Sequence, residues 1–106
     1  MPVPPNFADD VYALVEAVPP GRVTTYGALA RALGVASGAR VVGWLMNKCH
    51  TLARPIPAHR VVNRNGMLTG KHHFGSPSEM QARLEAEGII VKDDQVQDFA
   101  QRFWDP

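Results

Sequence analysis

The sequence predicts a mainly α domain, a winged helix-turn-helix with a short β-hairpin. The first observation is a pair of short amphipathic segments, residues 23–34 and 38–49, joined through the tight link GVAS. Two short helices that meet at such a corner are typical of a helix-turn-helix, with the second as the recognition helix. The second observation is the dipeptide Asn65-Gly66 between β-branched or apolar residues, which favours a hairpin turn.

Length and composition favour one globular domain over residues 1–106, because 106 residues can form one substantial core but not two. No apolar run reaches the ~18 residues of a membrane span. The start, MPVPPNF, lacks the basic and apolar stretches of a secretory signal. The single cysteine excludes an internal disulfide, which suits a reducing compartment. We therefore expect a cytoplasmic monomer with no membrane partner and no cofactor.

Charge is distributed unevenly along the chain. The 62 residues between Glu16 and Glu79 contain eight Lys or Arg residues and no acidic residue, a formal charge of +8, although the net charge of the chain is only +1. A basic segment of this kind favours a polyanionic partner, because each phosphate contact releases counterions. The alternative is a chance segregation of solvated charges, which eight basic residues to none make the weaker explanation.

Three helices are predicted in the first half of the chain. Asn6 can cap the first, NFADDVYALVEAV, which ends before Pro19-Pro20-Gly21. Thr24 or Thr25 can cap the second, which ends at Gly34. Ser37 is the predicted cap of the third helix. Apolar residues at helical spacing give the third helix an inner face: Val41, Val42, Leu45 and Met46.

The second half predicts a loop, a hairpin and two further helices. HTLARPIPAH is a loop bounded by prolines, and RVVNRNGMLT is the hairpin. SPSE is a capping box, with Pro77 at the first helical position and Glu79 reaching back to Ser76, and its helix ends at Gly88. IIVKDD predicts a short extended piece and a turn. The tail predicts a last amphipathic helix through Val96, Phe99, Ala100, Phe103 and Trp104.

Candidate catalytic and metal-binding residues are few. His59, in the stretch PIPAHRVV, is the best general-base candidate, but the natural place for a nucleophile, just before it, holds Ala58. The pairs Cys49-His50 and His72-His73 supply four potential metal ligands. Adjacent residues rarely converge on one ion, so no metal site is expected. No residue close to Cys49 in the sequence would activate its thiol, and a buried helix end is its expected place.

The chain resembles the O6-alkylguanine-DNA alkyltransferases over Val18 to Gly88. The resemblance rests on four motifs in the right order and spacing: VPPGRVTTYGALARALG, ARVVGW, PIPAHRVVNRNGMLTG and LEAEG. In those enzymes a Pro-Cys-His-Arg-Val motif takes the alkyl group onto cysteine, and Ala58 stands at the cysteine position. The chain is therefore similar to the alkyltransferase-like proteins, which lack the nucleophile and bind alkylated DNA without repairing it. The resemblance implies that it is not an enzyme.

The resemblance also implies roles for individual residues. Tyr26 matches the tyrosine that meets the phosphate of the flipped nucleotide and lines the pocket. Arg40 matches the arginine finger that enters the base stack, and Gly43 on the same helix would let the minor groove approach closely. His59 and Glu87 match the histidine and glutamate that, with a water molecule, activate the thiol.

The implied DNA-binding set also contains Arg60. The implied lesion pocket consists of Tyr26, Ala58, Val61 and His72, and the carbonyls of Ala58 and Val61 would accept hydrogen bonds from the guanine edge. The chain departs from the family at two further places. By its spacing from Arg40, the asparagine that the enzymes carry before the active-site loop aligns nearer to Cys49 than to Asn47, so its role is not assigned. The Tyr-Ser pair that the enzymes usually carry after the hairpin aligns with Lys71-His72, so contacts to the alkylated oxygen must differ.

We therefore expect a sensor that binds O6-alkylguanine in duplex DNA through the minor groove, flips the lesion into a pocket and flags it for nucleotide excision repair, whose proteins would be its partners. Inspection of the O6 substituent requires the base to leave the stack, and an inserted arginine can offset the cost. Two alternatives remain. One is alkyl transfer to another acceptor, such as Cys49. The other is a transcription regulator that reads sequence in the major groove.

Overall fold

The computed structural model describes residues 5–106, so the first four residues of the predicted domain lie outside the described part. The elements are, in chain order, α1 (Phe7–Ala17), β1 (Thr24–Thr25), α2 (Tyr26–Ala32), α3 (Ala39–Lys48), β2 (Val61–Val62), α4 (Glu79–Ala86), β3 (Val91–Lys92), β4 (Gln95–Val96) and α5 (Phe99–Arg102). The predicted fold class is confirmed: a mainly α helix-turn-helix domain, with α2 and α3 as the helical pair and β3 and β4 as a short antiparallel hairpin.

The helix-turn-helix owes its geometry to one side-chain cap and two glycines. The Thr25 hydroxyl accepts a hydrogen bond from the Ala28 N–H at 3.1 Å, which caps α2. Gly34, with φ +79, ends that helix in the left-handed region that glycine favours. The predicted Ser37 cap is wrong by one residue, because Gly38 is the N-cap of α3. A Cβ at Gly38 would lie 2.9 Å from the Val35 carbonyl oxygen, so the turn requires glycine there.

A parallel strand pair connects the helix-turn-helix to the loop that contains PIPAHRVV. Thr24 pairs with Val61, and Thr25 pairs with Val62. Strand β1 leads directly into α2, and β2 directly follows a short 3-10 helix of one turn, Ala58–Arg60. The pairing therefore places the start of α2 beside the 58–61 turn, which carries Ala58 and Val61 of the lesion pocket that the resemblance implies.

The hairpin lies later in the chain than the sequence predicts. Asn65-Gly66 does form a turn, in which the Gly66 N–H donates to the Asn63 carbonyl at 2.9 Å. The residues before this turn, Val61–Val62, pair with β1 and not with the residues after it. The antiparallel pair is instead β3 with β4, joined through Asp93 and Asp94, both at positive φ.

The predicted capping box at SPSE does not form. Helix α4 begins at Glu79 with Ser78 as its N-cap residue, so Pro77 lies outside the helix. The Glu79 carboxylate bonds Arg83, one turn further along, at 2.8 Å and does not reach back to Ser76. An i,i+4 ion pair on an exposed helix face has replaced the cap.

Two apolar clusters form the core, and β2 lies between them. The first contains buried residues of α1, α2 and α3 together with Ala58 and Val61. The second contains Val62 and buried residues of α4, β3 and β4. Adjacent residues of a strand point to opposite faces, so β2 contributes one valine to each cluster. None of the helices within residues 5–106 has the length and apolar character needed to cross a membrane.

Candidate functional site

Helix α3 exposes one continuous face. Residues three and four apart lie on the same side of a helix. Val42, Leu45 and Met46 turn into the core. The opposite side carries two cations, an amide, a glycine and an aromatic ring, and no acid: Arg40, Gly43, Trp44, Asn47 and Lys48. We call these five residues the recognition face.

Trp44 is the residue of the recognition face that the sequence analysis missed. Its side chain is 58% exposed, and the Lys48 ammonium lies 5.3 Å from the centroid of its ring. Arg40, one turn earlier, is exposed, and its guanidinium makes no hydrogen bond or ion pair with the rest of residues 5–106. An aromatic residue at a position where helical periodicity calls for a polar one is the signal that could have identified Trp44.

Tyr26 lies between the recognition face and the loop that leads to His72. A Cβ at Gly43 would lie 3.9 Å from the Tyr26 ring, and a Cβ at Gly70 would lie 3.3 Å from its hydroxyl oxygen. The same hydroxyl is 3.4 Å from the Thr69 hydroxyl. The structure therefore brings Tyr26 and Gly43 together, next to the segment that ends in the exposed His72.

Ala58 begins a single 3-10 turn at the edge of the first core cluster. Its methyl group is buried, and its N–H donates to the Ile56 carbonyl at 2.8 Å. The Val61 N–H donates to the Ala58 carbonyl, which closes the turn and places Val61 at the start of β2. The turn therefore presents main-chain groups and a methyl group at this position, with no nucleophile.

The Glu87 carboxylate is the centre of a hydrogen-bonded network behind Ala58. His59 Nε2 lies 2.7 Å from Glu87 Oε2, and the Gly21 N–H donates to Oε1 at 3.1 Å. The Arg60 guanidinium donates to the same carboxylate at 2.8 Å and also to the Val18 carbonyl at 2.9 Å. The network thus connects the end of α4, the 58–60 turn and the turn after α1.

The network determines the charge states of its members. Desolvation alone would raise the pKa of Glu87, but the hydrogen bonds from Arg60, His59 and Gly21 outweigh it and lower that pKa to about 2. Burial lowers the pKa of His59, against the opposing effect of Glu87. A neutral His59 donates through Nε2 and leaves Nδ1 as an acceptor. Nδ1 is buried without a hydrogen-bond partner in residues 5–106, so it can accept a proton or a hydrogen bond from a bound group.

Arg60 has an internal role. Its side chain is only 14% exposed, and its donors are directed at Glu87 and Val18. The DNA contact that the resemblance implies for Arg60 stays a prediction, and in the structure these internal bonds occupy its guanidinium. The sequence shows that the side chain is charged, but it does not show that Glu87, 27 residues later, binds it.

Acidic residues from the flanks pair with part of the basic segment. Glu16 binds Arg54, Glu87 binds Arg60, and Asp94 binds Lys71. The other five basic residues of the segment are exposed and have no carboxylate partner within residues 5–106: Arg22, Arg31, Arg40, Lys48 and Arg64. Two of these five, Arg31 and Arg64, line a pocket of about 410 Å³ beside Tyr26.

Cys49 is not placed as a nucleophile. Its thiol is buried and donates to the Met46 carbonyl at 3.0 Å, and burial raises its pKa to about 11. The thiolate is the reactive form, so such a thiol reacts slowly near pH 7. The structure places Cys49, His50 and His59 along one pocket of about 350 Å³. Within residues 5–106, no three His, Cys, Asp or Glu side chains are arranged to hold a metal ion.

Known proteins share this architecture. Residues 6–89 match the family model described as 6-O-methylguanine DNA methyltransferase, DNA binding domain. Alkyltransferase-like protein 1 of Schizosaccharomyces pombe is 36% identical over 86 residues, which cover 81% of this chain and 79% of that protein. The methylated-DNA–protein-cysteine methyltransferase of Salmonella typhimurium is 36% identical over 85 residues, 80% of this chain but only 48% of that enzyme. The chain thus spans about half the length of the enzyme.

A solved structure extends the similarity to the whole chain. The crystal structure of S. pombe Atl1 in complex with damaged DNA containing O6-carboxymethylguanine superposes with a TM-score of 0.80 and 32% sequence identity, and the match covers 100% of both chains. The similarity therefore includes α5 and the hairpin β3–β4, which lie beyond the residues of the family model.

Proposed function

The chain belongs to the 6-O-methylguanine DNA methyltransferase family through its DNA-binding domain, and we propose that it is a sensor of O6-alkylguanine that does not transfer the alkyl group. The observation that carries the proposal is the recognition face. On one helix it presents the exposed Arg40 and, directly beside Tyr26, Gly43, whose lack of a side chain leaves the helix surface open. The S. pombe relative that matches over its full length was crystallised with alkylated DNA, which supports the same ligand for this chain.

Affinity for duplex DNA would come from phosphate contacts. Five exposed cations have no carboxylate partner within residues 5–106, and they lie in a segment that contains no acid. Two of them, Arg40 and Lys48, belong to the recognition face. Such contacts hold any duplex and carry no sequence information. Gly43 leaves space on α3 for the backbone or a base edge to approach, which suits the minor groove.

Selectivity for the lesion would come from base flipping. Arg40 projects from the first turn of α3 and would fill the space that the flipped base vacates. Tyr26 would meet the phosphate of the flipped nucleotide, and the main chain of the 58–61 turn would meet the guanine edge. An alkylated guanine pairs poorly, so its extrusion costs less than that of a normal base.

The proposal contains no transfer step, because we place Ala58 at the position of the family's cysteine. A buried methyl group cannot accept an alkyl group. The thiol of Cys49 has a raised pKa and donates a hydrogen bond to the Met46 carbonyl. His59 and Glu87 keep the arrangement of a relay that could activate a thiol. No thiol stands next to them at residue 58.

Binding to one duplex with and without a single O6-methylguanine tests the proposal. We expect tighter binding to the modified duplex and weaker binding to both as salt increases. Each phosphate contact contributes a slope of about −0.9 in log affinity against log salt, so the four exposed cations other than Arg40 give a slope no steeper than about −3.6. Equal affinity for the two duplexes would exclude lesion sensing. An unmodified duplex of a second sequence is the control, because a transcription regulator would separate the two sequences.

Intact-mass measurement after long incubation with the methylated duplex tests the enzyme alternative. We expect no mass gain, whereas a gain of one methyl group mapped to Cys49 would show transfer. The proposed handover to nucleotide excision repair is tested separately, by adding purified excision-repair damage-recognition proteins to the complex of the chain with modified DNA. Recruitment that depends on the chain supports the handover.

A further inference from the structure

Trp44 is exposed although the packing of α3 against the core does not require it to be. The core side of α3 is already filled by Val42, Leu45 and Met46, and Trp44 projects away from them with 58% of its surface exposed. The Lys48 ammonium lies over its ring, and Trp44 belongs to neither of the two core clusters of residues 5–106. A large aromatic side chain that contributes this little to the core of its own domain is typical of a contact with another molecule.

The charges around Trp44 indicate what kind of molecule that is. Arg40 lies one helical turn before Trp44 and Lys48 one turn after it, and the helix carries no acidic residue. Cations on both sides of an apolar ring favour a ligand that offers an apolar surface between two anionic groups. In duplex DNA, the sugar and base edges of the minor groove lie between two phosphate backbones. Charge complementarity therefore favours DNA over an apolar protein surface.

We propose that Trp44 is a further DNA contact, an apolar wedge that packs against the sugars and base edges of the minor groove one helical turn along α3 from Arg40. Apolar side chains that enter the minor groove open base steps and bend the duplex. A wedge at Trp44 would open a base step next to the one that Arg40 enters, so the two side chains would bend the duplex at neighbouring steps. The inference rests on the proposed function for the identity of the ligand and adds a residue that the resemblance does not assign.

The substitution Trp44→Ala tests the proposal because the residue is exposed and contributes little to the core. Loss of one aromatic contact to DNA costs roughly 5- to 100-fold in affinity. We expect a loss in this range for Trp44→Ala on both the modified and the unmodified duplex. Ile90→Ala is the matched control: Ile90 is 64% exposed and lies outside α3, so its loss should leave the affinity within about 2-fold of wild type.

Fluorescence gives a second measurement that does not depend on how well Trp44→Ala folds. The chain contains two tryptophans, Trp44 and Trp104. In Trp104→Phe, Trp44 is the single indole, and we expect its emission to be quenched and shielded from iodide when duplex is added. Wild-type affinity for Trp44→Ala on both duplexes, or an emission unchanged by DNA, overturns the inference. A wild-type protein that fails to separate the modified from the unmodified duplex overturns the lesion proposal alone, because the role of Trp44 is measured on either duplex.

Discussion

Replacement of Glu87 by glutamine should destabilise the fold more than its position at the edge of α4 implies. The substitution preserves the shape of the side chain but removes the charge that binds Arg60. The Arg60 guanidinium, 14% exposed, would then lie without a counter-ion among Glu87, Val18 and His59. Removal of one partner from a buried ion pair leaves an uncompensated charge, which is the costly case.

The size of the loss follows from the pKa of Glu87. A shift from 4.5 to about 2 corresponds to about 3 kcal/mol of preference for the ionised form in the folded state. Both side chains keep some exposure to solvent, so we expect a loss of about 2 to 3 kcal/mol in the free energy of unfolding at pH 7. For a domain of this size, such a loss lowers the melting temperature by roughly 10 to 20 °C.

Urea and thermal unfolding followed by circular dichroism measure this loss, and Glu85→Gln is the matched control. Glu85 is exposed on the same helix, and within residues 5–106 its carboxylate accepts a hydrogen bond from the Gln81 side chain alone. A lowered carboxyl pKa stabilises the fold above pH 4.5, and this stabilisation disappears as pH falls towards 2. The difference between wild type and Glu87→Gln should therefore be constant near neutral pH, decrease below about pH 4.5 and be nearly lost at pH 2. A loss below about 0.5 kcal/mol at pH 7, or a difference at pH 2 as large as that at pH 7, would refute the reasoning.

Three further predictions concern the recognition face and the missing nucleophile. Gly43→Ala should raise the melting temperature, because alanine favours the helix by about 1 kcal/mol and its Cβ would lie at an ordinary 3.9 Å from the Tyr26 ring. The same substitution should weaken duplex binding several-fold, and an unchanged affinity in anisotropy titrations would contradict a close approach of the groove to α3. Cys49 should resist alkylation by iodoacetamide at pH 7.5 until urea unfolds the chain, because burial raises its pKa to about 11. Rapid labelling of the native protein, measured by mass spectrometry, would contradict its burial. Ala58→Cys should bind the modified duplex as wild type does. It should gain a methyl group slowly or not at all, because small misplacements of the reacting atoms cost about 100-fold in rate. Rapid transfer, measured as a gain in intact mass, would show that the thiol beside His59 is the only group missing.

The first half of the fold could be predicted from the sequence because its signals are local. Thr25 marks a helix start through its side-chain cap, and Gly34 marks a helix end through its backbone freedom. Asn6 is the N-cap residue of α1 as predicted, although its side chain makes no capping hydrogen bond. The hairpin could not be located in this way. Asn65-Gly66 specifies a turn, but whether the flanking residues pair with each other depends on the rest of the chain, and β1 takes β2 as its partner. The cap at SPSE failed for a similar reason, because Arg83 competes for Glu79.

The candidate site divides along the same line. The spacing of α3 is enough to place Arg40 and Gly43 on one face, because helical periodicity is a local property. It should also have revealed Trp44, whose exposure follows from the same periodicity. The partner of Arg60 was out of reach, because an ion pair between residues far apart in the chain depends on the tertiary fold. A count of charges therefore overestimates the basic surface: three of the eight cations are paired with acids from outside their segment.

The Glu87 network holds the 58–61 turn in place independently of any reaction at residue 58. The same carboxylate that would orient His59 for proton transfer also binds Arg60 and the Gly21 N–H, and so holds together three separate segments. The Ala58 side chain takes part in none of these bonds, and its buried methyl group packs within the first core cluster. The main-chain groups of the 58–61 turn, which would meet a flipped base, are fixed by the network and by β1–β2 pairing. The stability of the turn therefore does not depend on a nucleophile at residue 58.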